Sequence, residues 1–290
     1  MSYQMRHAKK RPISRIILII LSVALAAVFC VSGYMVITEY ISSEADKSAF
    51  DELTEIKRRS AEKGGSSKDP SGSTGTEPDS SPGNEDGTES VDGSDEGTDI
   101  LPEYVELFAM NEDMLGWLTI EDTPIDYPVM FTPNNEEYYL RRGFNKKYSY
   151  SGVPFMDASC QRDGNHYLIY GHNMKNQTMF GTLPKYQKKD FWERHQIIHF
   201  DTLTESREYM VMAAFRSKAY GKSDKGVFRY YAYADITDQG RFEIYVQNCL
   251  KASAYSTGIT AEWGDELLTL STCDYYTENG RFIVVAKRIK

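Results

Sequence analysis

Cysteine is scarce in this chain: four residues in 290, with Cys30 inside an uncharged apolar run. The other three, Cys160, Cys249 and Cys273, are an odd set in a chain of a size that folds without staples, which excludes a disulfide scaffold. One pair, Cys160 with Cys249, is open as a bridge, and at least one thiol then lacks an internal partner. Metal-ligand patterns are missing too. His166, His195 and His199 have no zinc-type spacing with the cysteines, and no EF-hand-like run occurs, so no metal and no cofactor are expected. Excess basic charge is also absent. The formal charge is −9, and residues 61–100 alone hold two lysines against eleven acids, the same −9. The remainder is neutral overall, with no basic face for nucleic acid.

Residues 61–100 also lack large apolar side chains, with only Val91 and Ile100 among Gly, Ser, Thr, Pro, Asp and Glu. Such a segment cannot bury enough surface to offset its chain entropy and reads as a disordered acidic linker. About 40 residues of flexible coil average roughly 35 Å end to end, the reach of a tether holding a domain off a membrane. Residues 1–15 contain no acid but carry Arg6, Lys9, Lys10, Arg11 and Arg15, and residues 16–37 contain no charge at all. At ~1.5 Å per residue that apolar run reaches roughly 33 Å, enough to cross a hydrocarbon core of ~30 Å. The positive-inside rule leaves residues 1–15 in the cytoplasm and exports the rest. Ala24-Leu25-Ala26 resembles a signal-peptidase site, but the apolar run continues well past it, and bulky Phe29 disfavours a lipoprotein site at Cys30. The expectation is an uncleaved single-pass anchor at 16–37, followed by a membrane-proximal, helical segment at 38–60.

From residue 101 to 290 the composition turns globular, rich in Tyr, Phe, Ile and Val, and long enough for one domain with a substantial core. A helix is expected over Pro102–Asn111, with Val105, Phe108 and Ala109 on one face. A short helix is expected from Asn134 or Asn135 to Arg142. Strand patterns occur at Leu115–Ile120, Ile125–Met130, Val153–Asp157, His166–Tyr170, Gln196–Asp201, Glu208–Arg216, Glu266–Thr272 and Arg281–Lys287. An amphipathic helix at Arg241–Ser253 gathers Phe242, Tyr245, Val246, Cys249 and Leu250 on one side. Many short strands with a few helices predict a mostly β barrel or sandwich.

Three residues carry chemistry. Cys273 ends a strand pattern; Arg281 follows eight positions later, where a hairpin would bring it back alongside; His172 ends the run Tyr167-Leu168-Ile169-Tyr170-Gly171. A nucleophile, a proton carrier and a fixed cation form a working set for acyl transfer through a thioester. Taken singly, a buried cysteine, a surface arginine and a loop histidine are the ordinary explanations. Their surroundings decide otherwise. Thr269-Leu270-Ser271-Thr272-Cys273 followed by Arg281 resembles the sortase signature, a TLxTC strand with an arginine on the next strand. Tyr170-Gly171-His172-Asn173-Met174 is similar to the sortase histidine segment. Gly116-Trp117-Leu118, Ile125-Asp126-Tyr127-Pro128-Val129, Tyr138-Tyr139-Leu140 and Phe155-Met156-Asp157 resemble the class B branch, as does a helix inserted before the cysteine strand.

The resemblance covers residues 101–290. It implies a closed eight-stranded β-barrel with N-terminal helices and a membrane-anchored cysteine transpeptidase with an extracellular catalytic domain. Cys273 would attack a Thr-Gly or Thr-Asn bond in the C-terminal sorting signal of a secreted protein. The thioacyl-enzyme would then pass to an amine of a peptidoglycan precursor, or to a pilin lysine in a pilus-assembling sortase. His172 would protonate the leaving amine and deprotonate the incoming one, and Arg281 would hold the substrate backbone or steady the oxyanion. Ser271, Thr272 and Asp274 are candidate substrate contacts. Asp274 opposes thiolate formation at its neighbour, and substrate contact, pairing with a base or a solvated loop acid all remain open for it. A cysteine endopeptidase would need an orienting acid and a glycine-rich oxyanion turn, whereas Thr272 and Asp274 flank Cys273. A catalytically silent, membrane-tethered binding domain is the third class.

Overall fold

A computed structural model describes residues 13–65 and 100–290. The basic tail through residue 12 and linker residues 66–99 lie outside the described residues. The chain divides at Ser48 into two compact units. Helix α1 spans Ile13–Gly65. Its part in the first unit exposes Ile17, Leu21, Leu25 and Phe29, an apolar surface on which none of the described residues packs. Among the described residues, this is the one helix long and apolar enough to cross a membrane.

The second unit begins at Ala49 and contains the last turns of α1. Phe50, Leu53, Ile56 and Ser60 are buried there, a stripe at three- and four-residue spacing that is the apolar face of a helix. Phe50 meets Tyr127 edge-on at 5.0 Å. Lys57 lies 4.7 Å from the Trp117 ring centre, over an indole whose Nε1 donates to Asp126 at 2.6 Å. Burial lowers the Lys57 pKa, and Asp126 and Asp201 oppose that. Residues 66–99 join the last turns of α1 to α2, both in the second unit. The helix also takes in residues 61–65, assigned to the linker by composition.

Helix α2, Pro102–Met110, starts on a proline whose missing N–H costs nothing in a first turn. It buries Tyr104 and Leu107 with Phe108 packed beside them and leaves Val105 and Ala109 exposed, so of the face expected from Val105, Phe108 and Ala109 only Phe108 meets the core. Eight strands follow: β1 Met114–Thr119, β2 Asp126–Met130, β3 Phe155–Met156, β4 His166–Tyr170, β5 Ile197–Thr202, β6 Glu208–Lys218, β7 Leu267–Cys273 and β8 Gly280–Arg288. They close into a barrel in the order β1-β2-β3-β4-β7-β8-β6-β5. The short helix expected up to Arg142 is a single 3-10 turn, Tyr138–Arg141, with no side-chain cap.

Two further helices complete the fold, α3 (Lys189–Arg194) and α4 (Gln239–Ala252). The sequence pattern did not indicate α3. Helix α4 is capped by Asp238, whose carboxylate accepts from the Arg241 N–H at 2.9 Å, and it buries Phe242, Tyr245, Val246 and Cys249. Strand β7 runs parallel to β4 on one side and antiparallel to β8 on the other. Leu267 through Thr272 are all buried, and the hydroxyls of Thr269, Ser271 and Thr272 are each hydrogen-bonded inside.

Candidate active site

The register of β7 and β8 sets the site. Cys273 pairs directly with Arg281, and Thr272 with Phe282. Opposed residues in an antiparallel pair share one face of the sheet, with Cβ atoms about 5 Å apart. The hairpin thus puts a thiol and a guanidinium side by side. Asp274 N–H donates to the Gly280 carbonyl at 2.9 Å and closes the turn. Gly280 must be glycine, since a Cβ there would lie 2.2 Å from the Asp274 carbonyl oxygen.

Strand β4 supplies the histidine. Its parallel register, Tyr170 beside Ser271, carries the chain out at the same end of the barrel as Cys273. Cys273, Arg281 and His172 line one cleft of about 450 Å³, together with Ser271, Thr272 and Leu140. His172 Nε2 lies 2.9 Å from the Leu140 carbonyl. A carbonyl only accepts, so Nε2 carries the proton and Nδ1 is the basic nitrogen. Burial lowers the His172 pKa, helped by the charge of Arg141 and opposed by the Leu140 bond. The imidazole is therefore mostly neutral near pH 7. Arg281 donates to the carbonyls of Gly280 at 3.0 Å and Asn279 at 3.4 Å, and among the described residues no carboxylate pairs with it. Its charge is left for the cleft.

The remaining candidates are committed to the scaffold. Ser271 Oγ is buried and hydrogen-bonds the Tyr230 hydroxyl at 2.8 Å; it stands two residues from Cys273 on the same strand face. Thr272 Oγ1 donates to the Gly171 carbonyl at 2.7 Å and ties the cysteine strand to the start of the histidine loop. Asp274 accepts from Arg216 Nε at 2.7 Å and, at 3.3 Å, from the Tyr276 N–H. Arg216 also stacks 4.4 Å from the Tyr276 ring centre. Asp274 is thus not bonded to His172; it is paired with a base, Arg216 of the neighbouring strand β6.

Asn173 was not singled out from the sequence. Its Nδ2 donates to the Cys273 carbonyl at 2.7 Å and locks the histidine loop to the nucleophile strand. Its position directly after His172 was the available signal. Tyr230, in a 3-10 turn before α4, had none. Cys160 and Cys249 are separate, buried free thiols, and burial pushes Cys249 up and Cys160 to about 12. Neither competes as a nucleophile.

A family model described as a sortase domain matches residues 118–289. Sortase B of Listeria monocytogenes is 32% identical over 198 residues, 66% of this chain and 76% of that protein. Sortase B of Staphylococcus aureus is 29% identical over 195 residues, with the same coverage of 66% and 76%. Among solved structures, sortase B of Clostridium perfringens superimposes with a TM-score of 0.57 at 28% identity, over 64% of this chain and 98% of that one. The Staphylococcus aureus sortase B–substrate complex gives 0.66 over 86% and 99% at 23% identity, a likeness of fold.

Proposed function

The chain belongs to the sortase family of cysteine transpeptidases, on its class B branch, and from that premise we propose that Cys273, His172 and Arg281 perform the transfer. Cys273 Sγ attacks the carbonyl of the threonine in a sorting signal, at a Thr-Gly or Thr-Asn bond. As the S–C bond forms, the thiol proton passes to His172 Nδ1; the C–N bond then breaks, His172 delivers that proton to the leaving amine, and a thioester remains on Cys273. An amine of a peptidoglycan precursor then gives its proton to His172, attacks the thioester carbonyl and releases the thiol. Arg281 holds the peptide backbone or the tetrahedral oxyanion with the planar donor fork of its guanidinium.

The observation that carries this reading is the direct pairing of Cys273 with Arg281 at the mouth of a cleft that His172 also lines. The uncharged run of α1 anchors the protein in the membrane as a single span. The basic residues before it keep the N-terminus cytoplasmic, and the barrel unit lies outside.

Mass spectrometry of the protein with a small library of sorting peptides tests the proposal. The expected product is an acyl adduct on Cys273 that an added amine removes. Full activity in Cys273→Ala would end this mechanism.

A further inference from the structure

The histidine loop, Gly171 to Gly181, is folded back on itself. The Phe180 N–H donates to the His172 carbonyl at 2.9 Å, and Asn173 and Met179 form an antiparallel bridge. The Phe180 ring covers Gly171 so closely that a Cβ there would stand 2.7 Å from it. This compact form requires Met179 at φ 51°, a left-handed backbone that a side chain disfavours. Something outside the loop has to hold it. The Met179 N–H donates to the Tyr127 hydroxyl at 3.2 Å, at a site where Met179 is 1% exposed. Tyr127 is in turn covered by Phe50 of α1, edge to face at 5.0 Å.

We propose that the end of α1 positions the histidine loop: Phe50 seats Tyr127, whose hydroxyl holds Met179 and so fixes His172 and Asn173 against the Cys273 strand. Phe50 and Tyr127 are positioning residues, and the proposal rests on the reading of His172 as the proton carrier. The physical basis is that each contact is buried. Loss of the Tyr127 hydroxyl strands an amide with no water to replace it. Loss of the Phe50 ring opens a void in which Tyr127 can turn away. The helix that continues from the proposed membrane anchor would then be part of the catalytic apparatus, and a barrel cut from residue 101 onward would carry a loosened site.

The test uses the full chain in detergent, with Tyr127→Phe, Phe50→Ala and, as a control for general loss of stability, Phe242→Leu in α4. Amide hydrogen exchange at Met179 and Phe180 needs no substrate. It should speed up about tenfold in Tyr127→Phe, the scale of one lost buried hydrogen bond, and several-fold in Phe50→Ala, with β7 and β8 unchanged. The second readout is the pH profile of Cys273 modification by a methanethiosulfonate reagent, followed by mass at that residue. Both loop variants should shift the profile, and Phe242→Leu should not. Parent-like exchange at Met179 in both variants, or a profile moved equally by Phe242→Leu, overturns the proposal. A parent-like profile in His172→Ala alongside faster loop exchange would instead sink the reading of His172 while leaving the coupling in place.

Discussion

Acid should unfold this protein through a histidine that takes no part in the proposed chemistry. His166 is wholly buried, with Nδ1 2.7 Å from the Tyr233 carbonyl and Nε2 2.8 Å from Thr269 Oγ1. The carbonyl only accepts, so Nδ1 donates, Nε2 accepts from Thr269, and Thr269 Oγ1 is left to accept from the Tyr245 hydroxyl at 2.6 Å. Every group in this chain of bonds is satisfied only while the imidazole is neutral. A second proton on Nε2 would turn the Thr269 bond against itself inside the core, on the strand that ends in Cys273. Burial pushes His166 down to about 4, against a smaller opposing contribution from its bond to Tyr233. In the unfolded chain its pKa is ~6.5. Between those values the unfolded state binds the proton and the folded state does not. The stabilisation is therefore fully present above pH ~6.5 and is lost as the pH falls toward ~4, reaching about 3 kcal/mol at ~1.4 kcal/mol per unit. From pH 7 to pH 5 the loss is about 2 kcal/mol. Urea unfolding of the parent and of His166→Gln at both values checks this. The variant has a lower baseline but should lose about 2 kcal/mol less on acidification, because the contribution of His172, of the same sign, is common to both. Equal acid sensitivity in the two proteins would refute the assignment.

Arg281→Lys keeps the charge but loses the planar fork, and we expect thioester formation to fall on the order of a hundredfold with the fold intact, measured by single-turnover acylation. Arg216→Ala removes the partner of Asp274 and leaves an unpaired carboxylate beside the nucleophile. Alkylation of Cys273 at neutral pH should slow about fivefold, the effect of ~1 kcal/mol of repulsion, and the double variant Arg216→Ala/Asp274→Asn should recover the parent rate.

Where a pattern has one solution, sequence and structure coincide. His166–Tyr170 reads as a strand and is one, because a short run of aromatic and aliphatic residues bounded by Asn165 and Gly171 suits a buried strand. Helix α4 is similarly plain, since Phe242, Tyr245, Val246 and Cys249 sit at helical spacing behind an Asp238 cap. Short elements were less legible. The Tyr138–Arg141 turn and α3 are too brief for a period to show, and α2 presents Tyr104 and Leu107 to the core although Val105 is as apolar. The face a short helix buries is chosen by its neighbour. The Phe50, Leu53, Ile56 and Ser60 stripe was present in the sequence but hidden at the end of a far more hydrophobic run.

Residue order alone is enough for the membrane-length apolar run, the acidic linker composition, and the identities of Cys273, His172 and Arg281 with their placement at strand ends. Local periodicity and residue chemistry suffice for these. That a hairpin returns Arg281 alongside Cys273 was legible as well, but the residue-for-residue pairing is a property of two strands together and came with the fold. Only the tertiary structure decided that Asp274 is neutralised by Arg216, 58 residues away, and that α1 reaches the histidine loop through Tyr127. Contacts between distant residues leave no periodic trace in a single chain; closure of the barrel brings them together.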